Sequence, residues 1–106
     1  MTTPASSDEG IKHDEGKLRI DLIPPEVIEA LAITFAHGAK KYGECNWEKG
    51  MGVSRLWAAA QRHLWAWWRG ENKDGESGLN PLFHALASIA MLVAMRQRGI
   101  GKDDRA

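Results

Sequence analysis

The sequence predicts an all-α fold, a compact helical bundle of three main helices with an extended N-terminal arm. Three stretches carry apolar residues at helical spacing, breaks rich in proline and glycine separate them, and no second strand is convincing. The 106 residues suit one domain rather than two. Because a domain of this size buries only about 60–65% of the surface of its unfolded chain, we expect a homo-oligomer, a dimer or a tetramer, to complete the core.

The chain divides into a disordered leader at residues 1–9, a single domain at residues 10–98 and a polar tail at residues 99–106. Basic and acidic residues balance at 14 each, so we expect no stable nucleic-acid binding. The leader has no apolar run typical of a signal peptide, and no other stretch could span a bilayer. A single cysteine, Cys45, excludes an intrachain disulfide. These features predict a cytoplasmic protein without membrane association.

The arm and the first helix follow each other directly. Apolar and polar residues alternate strictly from Lys17 to Leu22, which predicts an extended segment lying across the helices. Pro24 and Pro25 then open the first helix, since proline suits the first helical turn. Apolar residues at three-and-four spacing continue the helix to about Lys41, where glycines mark a loop.

The second and third helices are joined by a polar, glycine-containing loop. Ser54 is the expected N-cap of the second helix, which runs to about Arg69. The third helix has Asn80 as its cap and Pro81 at its first position, and it ends near Arg98. It is apolar nearly all round, so we place it at the centre of the bundle.

A stripe of arginines marks the second helix, because Arg55, Arg62 and Arg69 recur every seven residues and so share one face. A solvated face and a phosphate-binding face are both consistent with this spacing. Arg62 is the stronger candidate, since His63 follows it among aromatic residues, and a guanidinium can hold two phosphate oxygens at once. His63 and His84 lie on different helices and are either packing residues or functional ones.

The loop between the second and third helices gathers carboxylates at Glu71, Asp74 and Glu76. Hard cations such as Mg²⁺ take oxygen ligands, and such a loop can supply one or two while phosphate oxygens supply the rest. An ordinary charged loop is the alternative. The arm and the first loop add a set of groups suited to a nucleotide, with charge for phosphate and aromatic and amide groups for the base. These residues are Lys12, Asp14, Lys17, Arg19, Lys41, Tyr42, Asn46 and Trp47.

Three stretches together resemble one family. They read GIKHDEGKLRIDLIPP at 10–25, HGAKKYG at 37–43 followed by NW at 46–47, and RHLWAWWRGE at 62–71 followed by Asp74 and ESG at 76–78. They are similar to the phage dATP/dGTP diphosphohydrolase family, which is related to the MazG-like all-α NTP pyrophosphatases. The resemblance implies an oligomeric helical enzyme of phage nucleotide metabolism, acting in the bacterial host cytoplasm. With Mg²⁺ or Mn²⁺ it would cleave dATP or dGTP to the monophosphate and pyrophosphate.

The resemblance also implies roles for particular residues. Glu71 and Asp74 are the first expected metal ligands, Glu76 and His84 follow them, and His63 joins the first two as an expected catalytic residue. Expected phosphate contacts come from Lys12, Lys17, Arg19, Lys41 and Arg62. Sugar or base contacts are expected from Asp14, Asn46 or Trp47, with Tyr42 beside them.

Two other functions remain open. A metal phosphohydrolase of the HD type needs a His-Asp doublet in a helix, whereas the doublet His13-Asp14 lies in the arm. A non-catalytic phage module could instead bind nucleotide or a partner protein through the tryptophan-rich second helix. Metal-dependent release of pyrophosphate would distinguish the enzyme from such a module.

Overall fold

The computed structural model describes residues 10–106 and shows three α-helices, so the predicted all-α fold is confirmed. The helices are α1 (Pro25–Tyr42), α2 (Val53–Trp68) and α3 (Pro81–Arg98), and single 3-10 turns lie at Ile20–Leu22 and Asn46–Lys49. The described residues contain no strand. The predicted leader, residues 1–9, lies outside them.

α3 contacts both of the other helices, in agreement with its apolar sequence, and its packing against α2 is the more extensive. Small side chains form much of the interface, including Ala60 on α2 and Ala85 and Ser88 on α3, all of which are buried. Thr34 on α1 is also buried, and its hydroxyl donates a hydrogen bond to the carbonyl oxygen of Ala30 at 2.7 Å. That bond satisfies a polar group that would otherwise be costly to bury.

The ends of α3 follow the sequence signals. Asn80 precedes the helix, and its Oδ1 accepts a hydrogen bond from the backbone N–H of Leu82 at 2.8 Å. Pro81 occupies the first helical position, where its missing N–H costs nothing. Gly99, with φ at 68°, ends the helix in the left-handed conformation that glycine adopts without strain. The predicted cap and the predicted end are therefore confirmed.

The start of α2 differs from the prediction. Gly52 occupies the N-cap position, so Ser54 lies within the first turn. The polar tail supplies the acceptors instead: Asp104 accepts hydrogen bonds from the backbone N–H of Ser54 at 2.9 Å and from its hydroxyl at 2.6 Å. The backbone N–H of Val53 donates to the carbonyl oxygen of Lys102 at 3.0 Å. A carboxylate 50 residues away in sequence thus caps α2.

The arm also differs from the strict alternation over Lys17–Leu22. Ile20–Leu22 is a 3-10 turn, in which the backbone N–H of Leu22 donates to the carbonyl oxygen of Arg19 at 3.1 Å. The side chains of Ile20 and Leu22 are exposed. Arg19 and Asp21, which alternation would place on one side of a strand, form an ion pair at 2.8 Å. No described strand is available to pair with this segment, and a local turn satisfies its backbone instead.

Within residues 10–106, no helix is long and apolar enough to cross a membrane.

Candidate functional site

A cleft of about 820 Å³ lies between the three helices and the loop that follows α1. This volume is within the usual range for small-molecule sites. α1 contributes its C-terminal half, α2 its N-terminal two thirds and α3 its first half. The ionisable and polar residues that line the cleft are Thr34, His37, Lys41, Tyr42, Glu44, Cys45, Asn46, Lys49, Arg55, Arg62, His63, His84 and Ser88.

Three histidines meet in this cleft, one from each helix. The rings of His63 on α2 and His84 on α3 are stacked, with 4.7 Å between their centroids. The ring of His37 on α1 meets that of His84 edge-on at 6.0 Å. The antiparallel course of α2 and α3 explains the first contact, because it brings the late residues of α2 beside the early residues of α3.

His84 is held by a hydrogen-bonded chain from the loop before α3. The Ser77 hydroxyl lies 2.6 Å from Nε2 of His84 and 3.0 Å from Oδ2 of Asp74. Since an ionised carboxylate can only accept, the single Ser77 hydroxyl proton goes to Asp74. Nε2 of His84 therefore carries the proton that Ser77 accepts, and its Nδ1 keeps a free lone pair. The chain fixes both the orientation and the tautomer of the imidazole.

Asp74 also shapes the loop that carries Ser77. Its Oδ2 accepts backbone N–H bonds from Glu76 at 3.2 Å and from Ser77 at 2.9 Å. These bonds, the one to Ser77 first, lower the pKa of the Asp74 carboxyl. Oδ2 of Asp74 is 3.9 Å from Nε2 of His84. A charged Asp74 thus stands behind the imidazole at neutral pH.

Burial keeps the two stacked imidazoles neutral. It is the first cause of a lowered pKa at both His63 and His84. The positive charge that each neighbouring imidazole would carry adds to the effect: His84 lowers the pKa of His63, and His37 lowers that of His84. The negative charge of Asp74 acts in the opposite direction on both rings, without cancelling the effect of burial.

We predict that the free energy of unfolding decreases as the pH falls below 6.5, the ordinary pKa of histidine. In that range the unfolded chain binds protons that the folded His63 and His84 reject, so acid favours unfolding. Urea denaturation between neutral pH and about pH 5 measures the effect. The double variant His63→Gln, His84→Gln should show a shallower pH dependence. An unchanged slope in that variant would contradict the assignment.

Cationic groups line the same cleft. Arg55 and Arg62 lie on the α2 wall, and Lys41 lies near the end of α1. The Lys41 ammonium forms an ion pair with Glu76, which raises the pKa of the lysine, and it sits over the Tyr42 ring at 5.1 Å from the centroid. Both arginines are exposed, so their guanidinium groups are accessible to an anionic ligand.

Trp47 supplies an aromatic face in the loop after α1. Phe35 meets its ring edge-on at 6.3 Å, and the Arg98 guanidinium lies over the ring at 5.0 Å. Arg98 is itself paired with Glu48 at 3.0 Å. Contacts from two helices therefore fix the indole, and Asn46 beside it offers amide donors and acceptors to the cleft.

The structure brings many of the predicted residues together. Seven of them line the cleft: Lys41, Tyr42, Asn46, Trp47, Arg62, His63 and His84. Asp74 joins them through Ser77 and His84. Others lie elsewhere: Glu71 pairs with Arg69 at 3.4 Å and Glu76 pairs with Lys41. The arm residues Lys12, Asp14, Lys17 and Arg19 are exposed and do not line the cleft.

Reasoning from the sequence missed two residues of the site, His37 and Ser77, and left a third, Arg55, open. His37 lies near the end of α1 and was not among the predicted site residues, although it falls within the stretch HGAKKYG. Arg55 was left open between two readings, and the structure places it at the cleft. Ser77 belongs to the stretch ESG, whose match to the family was the available signal.

The expected metal ligands are only partly assembled. No group of three or more His, Cys, Asp or Glu side chains in residues 10–106 is arranged to hold a metal ion. Of the four expected ligands, Asp74 and His84 lie together, whereas Glu71 and Glu76 are engaged in the ion pairs described above. Mg²⁺ is often held by one or two carboxylates and the phosphates of a substrate. Asp74 offers one such carboxylate next to His84, although it does not itself line the cleft.

Comparison with known proteins gives the family of the chain. The family model for the N-terminal part of dATP/dGTP diphosphohydrolases matches residues 7–105. A curated dATP/dGTP diphosphohydrolase of Salmonella phage PMBT28 is 34% identical over 96 residues, which cover 91% of this chain and 33% of that protein. The chain thus spans about a third of the length of this relative. No solved structure matches. Because the family model matches nearly the whole chain, the protein belongs to the dATP/dGTP diphosphohydrolase N-terminal family.

Proposed function

We propose that the chain hydrolyses the purine deoxynucleoside triphosphates dATP and dGTP to the monophosphate and pyrophosphate. One observation carries the proposal: a single cleft combines exposed guanidinium groups, neutral histidines and a fixed indole. A nucleoside triphosphate needs positive charge for its phosphates and an aromatic face with hydrogen-bonding groups for its base. The printed name of the phage relative supports the purine deoxynucleotide as substrate.

In this proposal Arg55, Arg62 and Lys41 hold the triphosphate. A guanidinium can donate two parallel hydrogen bonds to phosphate oxygens, which orients the chain of phosphates as well as binding it. Lys41 would exchange its ion pair with Glu76 for the stronger charge of the nucleotide. Trp47 would stack on the purine and Asn46 would contact its edge.

His84 is the proposed proton acceptor. A water oxygen attacks the α-phosphorus, the bond from that phosphorus to the bridging oxygen of the β-phosphate breaks, and the water proton passes to Nδ1 of His84. A neutral imidazole suits this step, because it can accept a proton near neutral pH. Asp74 and Ser77 are positioning residues that fix the ring.

Mg²⁺ or Mn²⁺ belongs to the proposal as the partner of the triphosphate. Asp74, with His84 nearby, would hold the ion together with phosphate oxygens, and bound metal would neutralise charge on the departing pyrophosphate. Glu71 and Glu76 would have to leave their ion pairs with Arg69 and Lys41 to take part. We therefore place Asp74 first among the proposed ligands.

The proposed setting is phage nucleotide metabolism in the host cytoplasm, with the chain working as a homo-oligomer. The phage origin of the relative supports the setting. The small core supports self-association, since Met95 and Pro81 are the largest fully buried side chains.

A second function, nucleotide binding without turnover, is favoured by the shortage of carboxylates. Among the described residues that line the cleft, Glu44 is the one carboxylate, so these walls are better equipped to bind phosphate than to hold metal. The chain also covers a third of its phage relative, which leaves room for catalytic groups elsewhere in longer proteins. In that case this chain would bind purine deoxynucleotide and release no pyrophosphate.

The test is pyrophosphate release from the four dNTPs and the four NTPs, with Mg²⁺, with Mn²⁺ and with a chelator. The proposal predicts release from dATP and dGTP that the chelator abolishes. Isothermal titration with the same nucleotides accompanies it. Binding of purine deoxynucleotides without release would establish the second function, and neither binding nor release would overturn both.

A further inference from the structure

One side of the α2–α3 pair carries a row of apolar residues on each helix, most of them exposed, which we call the outer face. α2 and α3 run antiparallel, since the start of α2 contacts the tail after α3 and His63 late in α2 stacks on His84 early in α3. Both helices carry apolar residues at the same spacing, seven and then four residues apart. The outer face consists of Trp57, Leu64 and Trp68 on α2 and Leu82, Ile89 and Val93 on α3.

The outer face points away from the cleft. Five of its six residues lie two positions from a cleft residue, as Trp57 does from Ala59 and Val93 does from Met91. The sixth, Trp68, lies about one helical turn beyond Leu64 and so shares its side of α2. Two positions correspond to about 200° around a helix. The cleft residues of α2 and α3 face the same cavity. The outer-face residues of both helices therefore lie on the side of the helix pair that is opposite the cleft.

This surface is unusually apolar and exposed. Trp57 is 62% exposed, Trp68 75% and Val93 56%. The outer face exposes roughly 600 Å² of apolar surface, which is at the upper end for the largest apolar patch on a monomeric protein. With the neighbouring Trp65 and Trp67 included, the apolar surface reaches roughly 800 Å², which is what each partner contributes to a standard interface.

We infer that a second copy of this chain covers the outer face, so that α2 and α3 of two copies form an antiparallel four-helix arrangement. Two antiparallel helices with the same apolar spacing can pack on their own copy about a two-fold axis. The helical positions between the outer-face residues, Gln61 and Leu86, are uncharged, so this surface offers no ionic pattern for a different partner. The formal net charge of zero also removes long-range repulsion between copies.

The inference deepens the proposed self-association and is independent of the reaction assigned to the cleft. It is tested by sedimentation velocity on the full chain from nanomolar to high micromolar concentration. A reductant is present throughout because Cys45 is exposed and could form a spurious cross-link. The expected result is a species of twice the 11.8 kDa chain mass that dissociates on dilution.

The chain offers a matched pair of variants. Ile89 on the outer face is 45% exposed and Ile33 on α1 is 49% exposed, so the same change to glutamate alters similar side chains on different surfaces. We expect Ile89→Glu to weaken dimerisation at least about 100-fold, because it buries a charge in each copy. Ile33→Glu should leave the dissociation constant unchanged. Circular dichroism checks that both variants remain helical.

A measurement on the unmodified chain decides the matter if Ile89→Glu does not fold. Trp57 and Trp68 become exposed on dissociation, so tryptophan emission should shift to longer wavelength over the concentration range in which the mass halves. Two results would show that the dimer forms through another surface: a dimer that dissociates without this shift, or a dimer that Ile33→Glu disrupts and Ile89→Glu does not. Either result would contradict the assignment of the outer face but would still support self-association. A monomer at every concentration would overturn both and leave the pyrophosphate assay unaffected.

Discussion

Replacing Arg62 with alanine is expected to lower kcat/KM for dGTP by about 10- to 150-fold, the loss of hydrogen bonds to a charged group. Arg62 lines the cleft beside the stacked histidines, and its exposed guanidinium is free to reach phosphate. A lysine cannot reproduce two parallel hydrogen bonds, so Arg62→Lys should recover part of the loss. Steady-state pyrophosphate release measures the effect.

Arg69 provides the control for this prediction. It lies on the same arginine stripe of α2, but it pairs with Glu71 and does not line the cleft. Arg69→Ala removes the same charge from the same helix and should leave kcat/KM within about twofold, because exposed charges at a distance are screened by salt. Equal losses in the two variants would show that the stripe acts through its overall charge, and would contradict a specific contact by Arg62.

Replacing His84 with alanine is expected to lower kcat by about 10²- to 10⁴-fold, the usual contribution of a positioned acid–base group. The ring is central to the site, because it contacts His63 and His37 and is oriented by Ser77. KM should change less than kcat if His84 acts on the proton rather than on binding. His13→Ala, in the exposed arm, is the control and should retain full activity.

A variant of Asp74 distinguishes a chemical role of His84 from a structural one. The negative charge of Asp74 raises the pKa of His84, opposing the effect of burial. Asp74→Asn should therefore move the acidic limb of the kcat profile to lower pH, a shift that mere loosening of the loop would not produce. If the acidic limb of the kcat profile stays unchanged and His84→Ala is fully active, His84 takes no part in the reaction.

The helices could be predicted from the sequence because their signals are local. Pro25 at the start of α1, and Asn80 and Pro81 at the start of α3, act within one helical turn. The cap of α2 could not be predicted, since Asp104 reaches it from the tail. The turn at Ile20–Leu22 was not predicted either, because strict alternation indicates an extended segment. A segment that pairs with no strand satisfies its backbone groups more readily in a local turn.

The candidate site was predictable as a set of residues but not as an arrangement. Family resemblance selected His63, His84 and Asp74, whereas their meeting depends on the antiparallel packing of α2 and α3. His37 needed the same information, because nothing in its local sequence shows that α1 brings it to His84. Glu71 illustrates the opposite case, since its spacing suits a metal ligand while the structure pairs it with Arg69.

The most direct test of the central claim is imidazole NMR of the ¹⁵N-labelled chain during titration with dGTP. The chain has four histidines, and His37, His63 and His84 lie at the cleft while His13 lies in the arm. If the cleft binds purine deoxynucleotide, the resonances of these three should move together on saturation while that of His13 stays in place. Binding that moves only His13, or none of the four, would show that the nucleotide site lies outside the cleft.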